Sequence, residues 1–260
     1  MANMRKRGLL VPITLTACII FITLPFGSAT EFSFRDGGKT KHSLAAYRWI
    51  LAQEDFLHYL GVSFRLALGA VLITLVIMVP TVAWLHLKAQ RFRPLMEFLT
   101  LLPLVVPVVA LAIGAQSALP EALQSSEYEL SFMYVVLAMP YTYRALDIGM
   151  SAIPLKTITE AARGLGASWI KAITFVIAPV IRNAVVGSLF LTLALSLGEF
   201  TLTSLLHWDT FPTWVTSVSQ QNIIGAIALS VFSLAAAFFL LFAIGLVTMR
   251  SKSDATEGQK

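Results

Sequence analysis

An all-α membrane protein with six transmembrane helices and both termini cytoplasmic is implied by three observations on this 260-residue chain. Hydrophobic residues make up 57% of it and charged residues only 13%, about half the roughly 25% charged content of soluble domains. The apolar residues gather into six runs of about 20 residues or more, the length that spans a hydrocarbon core. The short segments between the runs alternate in charge, those expected inside being basic and the two short outer ones lacking Lys and Arg, which is the bias that sets orientation. That bias also explains the net charge of +5, because the basic residues are scattered between spans and form no nucleic-acid-binding face. Membrane lipid is therefore an expected partner and nucleic acid is not. The chain reads as one transmembrane domain over 1–260, with no internal repeat.

The first span is placed at 8–27, behind Arg5, Lys6 and Arg7. Gly27, Ser28 and Ala29 could pass for a signal-peptidase site, but removing the run would leave an odd number of spans and a poorer charge pattern. The single Cys18 lies inside this run, so a disulfide within the chain and a cysteine metal cluster are both excluded. Residues 28–60 mix acidic, basic and aromatic side chains, as an outer loop with a short interfacial helix would. Within it Gly38-Lys39-Thr40 imitates a phosphate loop, yet Ser33 stands where that motif needs its first Gly, and no apolar strand precedes it. Nucleotide binding by this chain is rejected, and no cofactor is expected.

The remaining spans are placed at 62–87, 96–119, 131–150, 180–206 and 223–249. Lys88, Arg91 and Arg93 form an inner loop after the second. Pro80, Pro103 and Pro107 remove backbone donors and tend to kink helices, leaving carbonyls for packing neighbours or for a wet pathway alike. Glu121, Glu127 and Glu129, with no Lys or Arg among them, mark the next loop as outer. Arg144 and Asp147, near the inner end of the fourth span, are expected to reach lipid head groups or to pair with each other, in preference to a substrate role. Trp208 and Trp214 flank the second short outer loop, and Arg250, Lys252 and Lys260 hold the tail inside.

The most informative stretch is the inner loop at 151–179, the one polar interruption long enough to fold between two apolar segments. Thr157 and Glu160 have the spacing of a capping box, so a helix is expected to start there. Ile158, Ala161, Ala162 and Leu165 would form its apolar face, with Glu160 and Arg163 pointing away. Gly164 and Gly166 would end it, and Ser168 would cap the next helix, which enters the bilayer through Pro179.

Glu160, Ala161 and Ala162, three residues, Gly166, nine residues, Val176 and then Pro179 have the spacing of the EAA loop of ATP-binding cassette (ABC) importer permeases. The chain resembles that family here, departing from it at Ala178, where Leu is usual. More loosely, residues 102–107 and Ser196-Leu197-Gly198-Glu199-Phe200 are similar to segments of the polyamine, ferric-iron and thiamine group of such permeases. The resemblance implies the type I ABC importer permease fold and a bacterial inner-membrane, multi-pass protein that catalyses nothing itself. It further implies ABC ATPase subunits that grip Glu160, Ala161, Ala162, Gly166 and Pro179, a second permease subunit, identical or homologous, and an extracytoplasmic solute-binding protein. The substrate expected first is a polyamine, with ferric iron, thiamine or an aminophosphonate as alternatives.

Glu199 is the one carboxylate expected well inside a span, where an ionised group is costly unless it faces the bundle interior or water. It is a candidate gate or pathway residue, the alternative being a structural hydrogen bond. Two rival classes fit less well. An ion-coupled secondary transporter would show repeats and further mid-membrane ionisable groups. An intramembrane enzyme would need a nucleophile or metal site, but His42, His58, His86 and His207 are dispersed without ligand spacing, so no catalytic or metal residue is assigned.

Overall fold

The computed structural model of the chain describes residues 2–35 and 42–239, with side chains from residue 12 onward. Apart from a single bridge between Arg35 and His42, the regular structure of these residues is helical. Helix α1 covers Ala2–Ser33 and runs unbroken through Gly27–Ala29. A short α2, Ala45–Leu51, precedes α3, Asp55–Lys88, which absorbs Pro80 without a break and begins seven residues earlier than expected. The phosphate-loop imitation at 38–40 lies outside the described residues.

The third apolar run is not one continuous span. It divides into α4, Arg93–Val105, and α5, Val108–Ala118, which meet at a bend of 107°. Pro107 is the cause, because its ring disfavours helical geometry in the residue before it, and Val106 is accordingly extended at φ −76°, ψ 127°. Pro103, by contrast, stays within α4. A four-residue helix, α6 (Glu121–Gln124), leads to α7, Glu129–Ser151. Then come α8, Leu155–Gly164, and one continuous helix over Trp169–Leu197. This last is built from α9, Trp169–Lys171, a wide π turn over Ala172–Ile177, and α10, Ala178–Leu197. The π turn falls directly before Pro179, whose missing N–H and bulky ring an ordinary α turn tolerates poorly.

The expected fifth span at 180–206 is thus displaced. It ends at Leu197, and a break at Gly198 separates it from α11, Thr201–Leu205. Helix α12, Phe211–Gln221, is followed by α13, Ile223–Phe239, with Asn222 Oδ1 accepting the Gly225 N–H at its start. The rest of the expected sixth span, to 249, lies outside the described residues. Among the described residues three helices are long and apolar enough to cross a membrane, Pro12–Ser33, Asp55–Lys88 and Trp169–Leu197, and the bent α4–α5 pair would make a fourth. Helix α7 has the length, but it carries Glu129, Arg144 and Asp147 among its apolar residues.

The chain divides into two compact units. In the unit made of Met1–Phe56 and Trp214–Lys260, the Phe56 ring packs 6.2 Å from that of Trp214 and 5.8 Å from that of Phe232, and the Ser33 and Tyr47 hydroxyls share a hydrogen bond of 2.8 Å. The other unit, Leu57–Thr213, is built around α7. At one end of α7, Leu130, Tyr134 and Val135 pack on Val62, Leu66 and Ala70 of α3. At the other, Tyr143, Leu146 and Met150 join Met78, Val82 and Leu85 of α3, Leu155 of α8, and Ile177 and Ile181.

Helix α7 can carry so many polar groups because its neighbours satisfy them. Ser131 Oγ donates to the Leu66 carbonyl at 2.9 Å, and the Tyr143 hydroxyl donates to the Arg93 carbonyl at 3.2 Å. Close approach to α10 is secured by Gly149, where a Cβ would fall within contact distance of the Ala184 Cβ. Gly149→Ala should therefore destabilise the purified protein by about 1–3 kcal/mol, the usual cost of overpacking. Ala184→Gly should recover most of that loss in the double variant. Thermal melts in detergent check this, and an unchanged midpoint in Gly149→Ala would show that the two helices do not touch there.

Candidate functional site

The candidate site begins where α7 leaves the bundle. Asp147, 13% exposed, takes three hydrogen bonds on a single oxygen. His86 Nε2 of α3 lies 2.9 Å from its Oδ1, and Arg93 of α4 donates to the same atom from Nε at 3.1 Å and Nη2 at 2.7 Å. Arg93 Nη2 also donates to Ser151 Oγ at 2.9 Å, at the last residue of the helix. Three helices are pinned here by one carboxylate. Charge-assisted bonds of this kind are about twice as strong as neutral ones.

This corrects the expected pairing of Arg144 with Asp147. Arg144 instead reaches Glu97 of α4 at 2.6 Å in an exposed pair, while Asp147 turns inward. Arg93 and His86 lie 54 and 61 positions from Asp147, so no local spacing rule could join them. The available signal was weaker: three ionisable residues near the same expected membrane face, each needing a partner.

Only three residues separate α7 from α8. The helix starts at Leu155, not at Thr157, and Pro154 holds the N-cap position without a side-chain cap. No capping box forms. Leu155, buried against Met150, Ile177 and Ile181, draws the start of the helix back by two residues, and Thr157 becomes an exposed position inside it. The buried face comprises Leu155 and Thr159 with Ile158 and Ala162 partly covered, whereas Ala161 and Leu165 of the expected face point outward. Thr159 takes part because its hydroxyl donates to the Leu155 carbonyl at 2.7 Å and so needs no water.

Helix α8 ends in a Schellman turn: Ala167 N–H donates to the Ala162 carbonyl and Gly166 N–H to that of Arg163. Gly166 supplies the positive φ, at +87°, and Gly164 remains helical. Ser168 is extended and its side chain accepts the Lys171 N–H, as expected of the next cap. Of the residues singled out from the sequence, Glu160 is exposed with only a loose 3.9 Å pairing to Lys156. Ala161, Gly166 and Pro179 are also exposed, and Ala162 is half-buried. At the tip Leu165 is 91% exposed. The elbow is thus a polar projection whose tip carries one bare apolar side chain.

Glu199 lies elsewhere, in the break between α10 and α11. It does not sit within a continuous helix; its Oε1 accepts the Leu202 N–H at 2.7 Å, capping α11. Its carbonyl accepts from Thr203 Oγ1 at 2.9 Å, and the buried Tyr134 of α7 is hydrogen-bonded to Thr203. Around the same α7 end, Glu129 is fully buried and held by Gln116 Nε2 at 3.1 and 3.2 Å, and Arg65 pairs with Glu127. Glu129 was expected in an outer loop. Its burial follows from its place in the first turn of α7, against a helix, α5, that Pro107 turns toward it.

No protein-family model matches the chain. Over 170 residues, 63% of the chain, it is 25% identical to proteins of Salmonella paratyphi A and Salmonella typhi, each named as a putative 2-aminoethylphosphonate transport system permease protein PhnV. The chain is similar to transport-system permeases. The match spans 63% of the length of these relatives, less than two thirds.

The cap at Glu199 separates two roles that the side chain could have. Glu199→Gln keeps an acceptor for the Leu202 N–H and deletes the charge, whereas Glu199→Leu removes both and should cost about 1 kcal/mol. Melting in detergent should thus be unaffected by Gln and lowered by Leu. Equal destabilisation by both would mean that charge, not the cap, holds the break.

Proposed function

We propose that this chain is the pore-forming membrane subunit of a binding-protein-dependent ABC importer in the bacterial inner membrane. It has six spans in the type I arrangement and both termini in the cytoplasm. The observation that carries this reading is α8: a helix fixed at its base by Leu155 and Thr159, ended by a positive-φ Gly166, and presenting Glu160, Ala161 and Leu165 outward. Glu160, Ala161 and Gly166 belong to the EAA spacing, and the named relatives are permeases. ABC ATPase subunits supply the energy, since the chain has no usable phosphate loop of its own, and a second permease and a solute-binding protein complete the system.

For the substrate, the relatives' names favour an aminophosphonate over the polyamine that motif likeness alone suggested. A carboxylate such as Glu199 suits either, because both bear an ammonium group. Glu199 is the pathway candidate in this reading, its unshared oxygen being the one available for a cation.

Gly166→Val would strain the turn by on the order of 1–2 kcal/mol and re-aim α8. Together with Glu160→Ala it should leave membrane insertion intact while reducing both ATPase retention on purification and uptake of labelled 2-aminoethylphosphonate. Wild-type retention in both variants would sink the docking role. Uptake of spermidine in place of the aminophosphonate would restore the polyamine assignment.

A further inference from the structure

An open groove of about 470 Å³ runs between α3 and the Trp169–Leu197 helix, within the roughly 300–1,000 Å³ of pockets that enclose small ligands. Its lining is wholly apolar, with Leu75, Val79 and Trp84 on one side and Trp169, Ile173 and Ile181 on the other. The π turn at Ala172–Ile177 forms part of one wall. Leu75 and Leu87 mark its extent along α3. Twelve positions of helix rise about 18 Å, close to the roughly 15 Å of one leaflet in a hydrocarbon core of about 30 Å. The groove therefore has the length and chemistry of an acyl chain in a single leaflet, and offers a polar solute nothing to bond.

One end of the groove is different. There Trp169 carries two cations on its ring, with Lys88 Nζ 5.1 Å and the Arg163 guanidinium 5.3 Å from the centroid. Lys88 ends α3 and Arg163 lies in the last turn of α8, so two elements far apart in sequence deliver like charges to one indole ring. Among the described residues neither makes an ion pair. Two cations gathered at one ring repel each other, and an anion near both relieves that repulsion. Trp84 and Trp169 both line the groove, and aromatic side chains of this kind are enriched where spans meet the membrane–water boundary.

We propose that this groove is a binding site for one anionic phospholipid, with an acyl chain along Leu75–Leu87 and the phosphate between Lys88 and Arg163. Basic pockets between membrane helices bind anionic head groups for the same reason. The lipid would brace the end of α8 against α3 through Arg163 and Lys88. The site is built from α3, the Trp169–Leu197 helix and Arg163 of α8, and it does not depend on what the chain transports.

Native mass spectrometry of the full-length chain with dioleoyl phosphatidylglycerol or dioleoyl phosphatidylcholine tests it. Wild type should retain one phosphatidylglycerol with a preference of roughly tenfold or more over the zwitterionic lipid. Lys88→Gln/Arg163→Gln should bind both lipids equally, and Lys88→Arg/Arg163→Lys should keep the preference. Ala178→Trp, which fills the groove at an exposed lining position, should lose the retained lipid of either kind while remaining monodisperse. A wild type without head-group preference, or a preference that survives loss of both cations, would overturn the proposal. So would a wild type that binds no lipid but forms a dimer abolished by Ala178→Trp, because the groove would then seat a second copy.

Discussion

A carboxylate that must lie inside an apolar bundle dictates much of this structure. Asp147 needs hydrogen-bond partners there, and it finds them in Arg93 and His86, from two other helices, on a single oxygen. Breaking a buried pair by removing one partner typically costs about 3–5 kcal/mol. Arg93 is partly solvated, which lowers that figure, but His86 is 6% exposed and would lose its partner outright. Because Asp147 stands four residues before the end of α7, the same bonds fix the level at which the chain leaves the bundle and turns into α8. The position of the elbow is a consequence of that satisfaction.

Two breaks in helical geometry, at Pro107 and Gly198, give the opposite end of the Leu57–Thr213 unit its character. Each frees backbone groups that have to be met again. The Leu111 N–H recovers the Pro107 carbonyl at 3.1 Å, and Glu199 takes the Leu202 N–H that Gly198 and Phe200 leave without a helical partner. Broken helices of this sort are tolerated in a membrane where they are buried in protein or line a cavity. One end of the unit is the α8 elbow and the other is a set of interrupted helices with the buried Glu129 and the half-buried Glu199.

Apolarity and turn chemistry were legible in the sequence, whereas long-range satisfaction of polar groups was not. The long helices α3 and α7 and the cap at Ser168 follow from local patterns, and so does the positive φ of Gly166. The start of α8 did not, because a buried Leu155 outweighed the cap that Thr157 offered, so the Thr-x-x-Glu spacing went unused. Arg144 and Asp147 were offered head groups or each other as partners, whereas the cation that binds Asp147 lies 54 positions away. Glu199 was placed inside a span because hydropathy runs on past Gly198, although the backbone does not. In the first two cases a contact between distant segments displaced a sound local inference, and in the third a backbone break that hydropathy does not register did so.

The reading turns on which side of the membrane the α8 tip faces, and on whether a partner covers it. Leu165, at 91% exposure, is the position that reports on both. With Cys18→Ser as background, Leu165→Cys should resist an impermeant maleimide in intact cells. It should react in inside-out vesicles stripped of peripheral proteins, and become protected when the ATPase subunits are added back. Labelling of Leu165→Cys from outside intact cells would contradict the assignment of α8 as a cytoplasmic coupling element.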